Sequence, residues 1–195
     1  GEVKGFEVYG NNRYIYQYIS DKYPETEIKF DINKIKLVTI DIEVKSENGF
    51  PTVEKCDEEM LCITLQDYAT KRILTFGVGA YHHNDPMVKY VQCNDEYDLL
   101  QHFMNFWSHD PPEVVTGWNC QLYDIPYLAK RITRVLGEKA SKKLSPWGLV
   151  THEEIYMQGR AHTVYDIGGV TVLDYLDLYK KFTYKAQESY RLDYI

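Results

Sequence analysis

The chain has 195 residues, 44% of them hydrophobic and 26% charged, which is enough apolar material for one folded domain with a substantial core. That balance excludes a disordered chain, and no apolar run approaches the roughly eighteen residues a membrane-crossing helix needs. The net charge is −7, from 29 acidic and 22 basic residues, so no basic face announces a nucleic acid.

Residues 6–30 alternate weakly, with Tyr14, Tyr16 and Tyr18 set against Ile15, Gln17 and Ile19, and are predicted as a strand feeding a turn at Tyr23-Pro24. They form an N-terminal lead, residues 1–30, to a single domain over 31–195. Lys36–Val44 is a clear strand: Val38, Ile40, Ile42 and Val44 share one face, and Leu37, Thr39, Asp41 and Glu43 the other. Residues 60–67 and 72–78 make two further strands, joined by a tight turn, and the three favour an antiparallel meander.

Residues 95–108 are predicted as a helix with the stripe Leu99, Phe103, Phe106 and Trp107, stopped by Asp110-Pro111-Pro112. A short buried strand, 113–118, leads to a second helix over Asp124–Leu136, which Asp124 can cap and Gly137 ends. Its stripe is Leu128, Ile132, Val135 and Leu136, with Lys130, Arg131 and Arg134 off it. Residues 149–167 are predicted as a long hairpin with its tip near Gln158-Gly159-Arg160. Gly168-Gly169 turns the chain into a strand, 170–174, and a last helix starts near Tyr175. This order gives an α/β fold with a mixed sheet. Gly1 at the start, and Tyr194-Ile195 inside an apolar pattern at the end, predict a piece of a longer chain.

Several chemistries find no support. Cys56, Cys62, Cys93 and Cys120 form no C-x-x-C pair, which favours reduced thiols in a cytoplasm over a zinc site. There is no G-x-S-x-G, no phosphate-cradling glycine loop and no EF-hand pattern. Gly77-x-Gly79 is read as a turn, and His82-His83 as loop residues.

What remains is acidic. In Asp41-Ile42-Glu43 the i, i+2 spacing sets two carboxylates side by side on one face. Burying such a pair costs several kcal/mol unless something cationic compensates. Two divalent metals about 4 Å apart would do so, and would also meet a phosphate. An edge strand with one solvated face would carry the same pair. In Thr116–Asp124 a strand ends, a loop turns, and a helix begins at an acid. Asp124 is either a plain N-cap or a third carboxylate at the end of the sheet, with Asn119 as a polar contact and Tyr123 as a stacking surface.

Three segments, Leu37–Val44 with its D-I-E, VVTGWNCQLYDIPYL and GGVTVLDYLDLYKKF, resemble in order the proofreading 3′–5′ exonuclease domain of family B DNA polymerases. The nearest likeness is to the replicative polymerases of T-even-type tailed phages. The resemblance implies a ribonuclease H-like mixed sheet flanked by helices, with a long β-hairpin insertion. The family's D-x-E falls on Asp41 and Glu43, and its N-x-x-x-[FY]-D on Asn119, Tyr123 and Asp124. The family's third motif, Y-x-x-x-D, lies further toward the C-terminus, where Tyr190-Arg-Leu-Asp193 has the wrong spacing, so the chain is expected to stop before that motif and its carboxylate.

By the same resemblance Asp41, Glu43 and Asp124 are catalytic and hold two ions, Mg²⁺ or Mn²⁺. Asn119, Tyr123 and Phe50 bind substrate, Phe50 as the aromatic after the D-x-E strand. The expected partners are a single-stranded DNA 3′ end, primer-template DNA, the rest of the polymerase chain and a sliding clamp, with no membrane, in the cytoplasm (the host's, for a virus). The alternative is a catalytically inactive single-strand-binding or scaffolding module.

Overall fold

The computed structural model describes residues 14–24, 29–47, 49–157 and 159–195. Two compact units separate at residues 32 and 33. Within the first, Tyr14–Lys22 is a helix, α1. This corrects the predicted strand. Tyr and Ile tolerate either state, and an i, i+4 bond from Gln17 Nε2 to Asp21 Oδ1 at 2.8 Å fits only the helix. The rest of that prediction, residues 6–13 and 25–28, lies outside the described residues.

In the second unit the strands are β1 (Leu37–Val44), β2 (Met60–Asp67), β3 (Ile73–Val78), β4 (Val88–Cys93), β5 (Val114–Gly117), β6 (Val150–Met157), β7 (Arg160–Ile167) and β8 (Thr171–Asp174). The helices are α2 (Glu96–His109), α3 (Asp124–Leu136), a short α4 (Glu138–Ser141) and α5 (Tyr175–Phe182). Six strands form one mixed sheet in the order β4-β3-β2-β1-β5-β8, and β6 and β7 form a separate hairpin. This is the α/β, ribonuclease H-like arrangement. The meander β1-β2-β3 is antiparallel as predicted, while β1, β5 and β8 run parallel.

The period of two in β1 decides the layering. Val38, Ile40 and Ile42 are buried with Ile63 and Leu65 of β2 and Phe76 of β3. Helices α2 and α3 cover that face with Leu99, Phe103, Trp107, Leu128 and Ile132. The opposite face carries Asp41 and Glu43, both exposed.

Four details differ from expectation. Strand β4 was not predicted; it is an edge strand with polar Lys89 and Gln92, and Cys93 is its one buried residue. Gly77 lies inside β3, and only Gly79 turns, at φ +95°. Phe106, placed in the α2 stripe, stays 42% exposed, with its ring 6.0 Å from that of Phe76. Arg131, placed off the α3 stripe, is buried and paired with Glu96 of α2.

Candidate active site

Strand β1 is longer than β5. Their pairing ends at Thr39 and Thr116, and β1 continues alone along that edge. Beyond this point Ile42 offers its main-chain N–H to a side chain instead of a strand. Asp124, the first residue of α3, takes it: Asp124 Oδ1 accepts from Ile42 N at 3.2 Å. Asp124 is therefore no N-cap. The cap position falls on Tyr123, which makes no side-chain capping bond.

The chain approaches closely where β5 ends. An added Cβ at Gly117 would lie 2.6 Å from Ile40 O and 2.9 Å from Cys120 Cβ, so only glycine fits. The loop then passes through Asn119 at φ +60°, a left-handed conformation that asparagine tolerates. That loop hangs on a residue the sequence reading did not select. Asp174, buried at the end of β8, accepts Asn119 N–H at 3.0 Å, Gln121 N–H at 2.9 Å and Leu176 N–H at 2.9 Å. The available signal was its pattern, an acid between a strand and a helix, the same as that of Asp124.

Electrostatics ties Asp41 to Asp124. Burial, and then the charge of Asp41, push the Asp124 carboxyl up to about 7, while the Ile42 N–H pulls it back. Asp41 is also raised by burial and drawn back by the same N–H. Burial thus raises both carboxyls, and the Ile42 N–H between Asp41 and Glu43 is taken by Asp124 Oδ1. Glu43 follows on the same face of β1, opposite Cys62 of β2. Burial, then Asp124, push the Tyr123 phenol up to about 12, and Glu43 adds to the push. Among the described residues no Lys or Arg pairs with these three acids, and the nearby Lys45 is engaged by Glu47 at 2.8 Å.

Such a set of hard oxygen donors with unrelieved repulsion suits a hard dication. Among the described residues, however, no three His, Cys, Asp or Glu are preassembled as a metal-holding group.

The aromatic candidates lie beside the acids. The Phe50 ring is 5.5 Å from that of Tyr123, and Tyr123 is 5.7 Å from Tyr127. Phe50 is 80% exposed. Asn119 is half-buried at the loop before Tyr123.

A family model described as DNA polymerase family B, exonuclease domain, matches residues 10–195. The chain is 32% identical to the DNA-directed DNA polymerase of Escherichia phage RB69 over 98% of its own length and 24% of the relative's. It is likewise 32% identical to the DNA-directed DNA polymerase of Enterobacteria phage T4, over 97% of this chain and 24% of that protein. A DNA polymerase catalytic subunit from Psittacid herpesvirus 1 is 27% identical over 64% of this chain and 13% of the relative. The chain therefore spans about a quarter of the length of the phage relatives.

Proposed function

This chain belongs to the exonuclease domain of DNA polymerase family B, and from that membership we propose that it hydrolyses the terminal phosphodiester of a single-stranded DNA 3′ end. The single observation that carries this reading is the hydrogen bond from the Ile42 N–H, between Asp41 and Glu43, to Asp124 Oδ1. It joins the two motifs in space, across 82 residues of sequence.

In this reading Asp41, Glu43 and Asp124 hold two Mg²⁺ or Mn²⁺ ions. Bound there, such ions supply positive charge for the phosphoryl oxygens and a more acidic water. The chain's own residues do the rest. Glu43, exposed at the end of β1, orients the attacking water. Phe50 and Tyr123 grip the terminal bases by stacking, which is blind to sequence. Asn119 contacts the sugar or phosphate. Water oxygen forms the new bond to phosphorus, the bond to the 3′ oxygen breaks, and a nucleoside monophosphate leaves. A mismatched end unpairs more easily and so reaches the site first. The DNA and the remainder of a polymerase chain are the partners, with a sliding clamp on the primer-template, in the host cytoplasm. No helix of the described residues is long and apolar enough to cross a membrane.

The test is release of mononucleotides from a labelled single-stranded oligonucleotide with Mg²⁺. Asp41→Ala and Glu43→Ala should each lower the rate by about 10²–10³-fold. Undiminished 3′–5′ degradation in both would reject the assignment. The rival reading is a module that binds single strands without cutting. Binding without any mononucleotide release, in this chain and in its parent polymerase, would decide for it.

A further inference from the structure

Helix α3 does more than deliver Asp124. Four of its side chains donate to main-chain carbonyls of one short segment, residues 53–58, in the connection between β1 and β2. Tyr127 OH reaches Glu58 O at 2.8 Å, and Lys130 Nζ reaches Val53 O at 3.1 Å. Arg131 Nη1 donates to Cys56 O at 3.1 Å and to Asp57 O at 3.4 Å. Arg134 Nη2 donates to Lys55 O at 3.1 Å, and its Nη1 contacts Cys56 O. In return the Cys56 thiol donates to Tyr127 O at 3.6 Å. The spacing 127, 130, 131, 134 is one helix face. Irregular backbone needs partners, and bonds from charged donors are the strong ones. Three cations therefore donate to a segment that carries no catalytic acid, while Lys130 also reaches Thr163 Oγ1 at 3.4 Å and Arg131 also pairs with Glu96.

Phe50 is where that segment leads. Pro51 and Val53, just after it, are buried, so the chain is fixed immediately beyond the ring. The ring itself, four-fifths exposed beside Tyr123, gains too little burial to hold itself there. Its place is set by its backbone, and its backbone by α3.

We propose that Lys130, Arg131 and Arg134 are positioning residues. They clamp residues 53–58 to α3 and so fix Phe50 against Tyr123, as a platform for the terminal base of a DNA single strand. The clamp makes one helix responsible for both the acid Asp124 and the width of the stacking step next to it. The proposal deepens the functional reading above and rests on it for the identity of the ligand.

Arg134 is the residue to test, because it is exposed and its loss spares the buried pair of Arg131. In the chain labelled with fluorophenylalanine, the Phe50 fluorine resonance is identified among the seven phenylalanines by Phe50→Leu. It should move toward the free-residue position in Arg134→Ala and in Tyr123→Leu, and return part-way in Arg134→Lys. Affinity is read with a single-stranded oligothymidine carrying 2-aminopurine at its 3′ end. Arg134→Ala and Phe50→Ala should each weaken binding about tenfold, as release of one stacked base would, and the double variant no more than either. A resonance unmoved by Arg134→Ala overturns the clamp. So do losses that multiply in the double variant, or a full recovery of affinity in Arg134→Lys with the resonance still displaced, since both would mean that the guanidinium meets the phosphates directly. If the wild-type chain does not hold the oligonucleotide, the functional reading fails, and the resonance alone decides the clamp.

Discussion

The Asp124 carboxylate accepts the main-chain N–H of Ile42 at 3.2 Å, on the residue that separates Asp41 from Glu43. One hydrogen bond thus brings the start of α3 to the free edge of β1. It also places a buried acid, 5% exposed, against the charge of Asp41. The consequences can be measured.

The first concerns pH. Asp124 is raised to about 7 by burial and by Asp41, whereas an unfolded aspartate ionises near about 4. Between those values the native chain keeps a proton that the unfolded chain has lost. Stability is therefore present below about pH 4 and is lost as pH rises through about 7. Asp124→Asn keeps an oxygen for Ile42 and removes the charge. It should stabilise the fold at about pH 8 by about 1–3 kcal/mol and change little near pH 4, as read by thermal melts across pH. Added Mn²⁺ at about pH 8 should raise the wild-type melting temperature more than that of Asp124→Asn.

Gly117 gives a steric test. A methyl group there would sit 2.6 Å from Ile40 O, which is backbone and cannot step aside. Gly117→Ala should cost about 1–3 kcal/mol in denaturant unfolding. Its loss of nuclease activity should exceed its loss of folded protein, because the strain falls between β1 and the loop that carries Asn119 to Asp124.

At Asn119 backbone and side chain can be separated. The left-handed φ of +60° suits glycine. Asn119→Gly should leave the melting temperature nearly unchanged yet lower kcat/KM by about tenfold or more, the loss of one polar contact to a charged substrate. Asn119→Leu should in addition destabilise the fold by about 1–2 kcal/mol.

The buried pair Glu96–Arg131 tests the scaffold. Arg131 Nε donates to Glu96 Oε1 at 2.7 Å, and Glu96 Oε1 also accepts Met60 N–H at 2.9 Å. Arg131→Ala should destabilise by about 3–5 kcal/mol, because it strands a buried carboxylate. The double variant Glu96→Gln, Arg131→Met should recover part of that loss in urea titrations.

Much of this architecture can be read from local pattern. The face shared by Asp41 and Glu43 follows from a period of two within eight residues, and the meander from three apolar strands with tight links. Helix α2 begins where its acidic first turn predicts, with Asp95 accepting Asp98 N–H at 2.8 Å. The misreadings are of two kinds. Helix α1 and strand β4 carry weak or polar patterns, so propensity had little burial to lean on. Asp174 acts through bonds to residues 53 and 55 positions away in sequence, and Arg131 through a pair 35 positions away, so no short window along the chain contains both partners. The contact of Asp124 with Ile42 is of the same long-range sort, which is why the sequence left the N-cap and the third-carboxylate readings of Asp124 side by side.

The Glu96–Arg131 link also has a temporal side. During synthesis Glu96 leaves the ribosome 35 residues ahead of Arg131, when β1 to β4 have already emerged. Should the nascent sheet and α2 close before α3 follows, Glu96 would lack its partner, at a cost of about 3–5 kcal/mol. Completion of this core is thereby deferred to the arrival of the same helix that delivers Asp124.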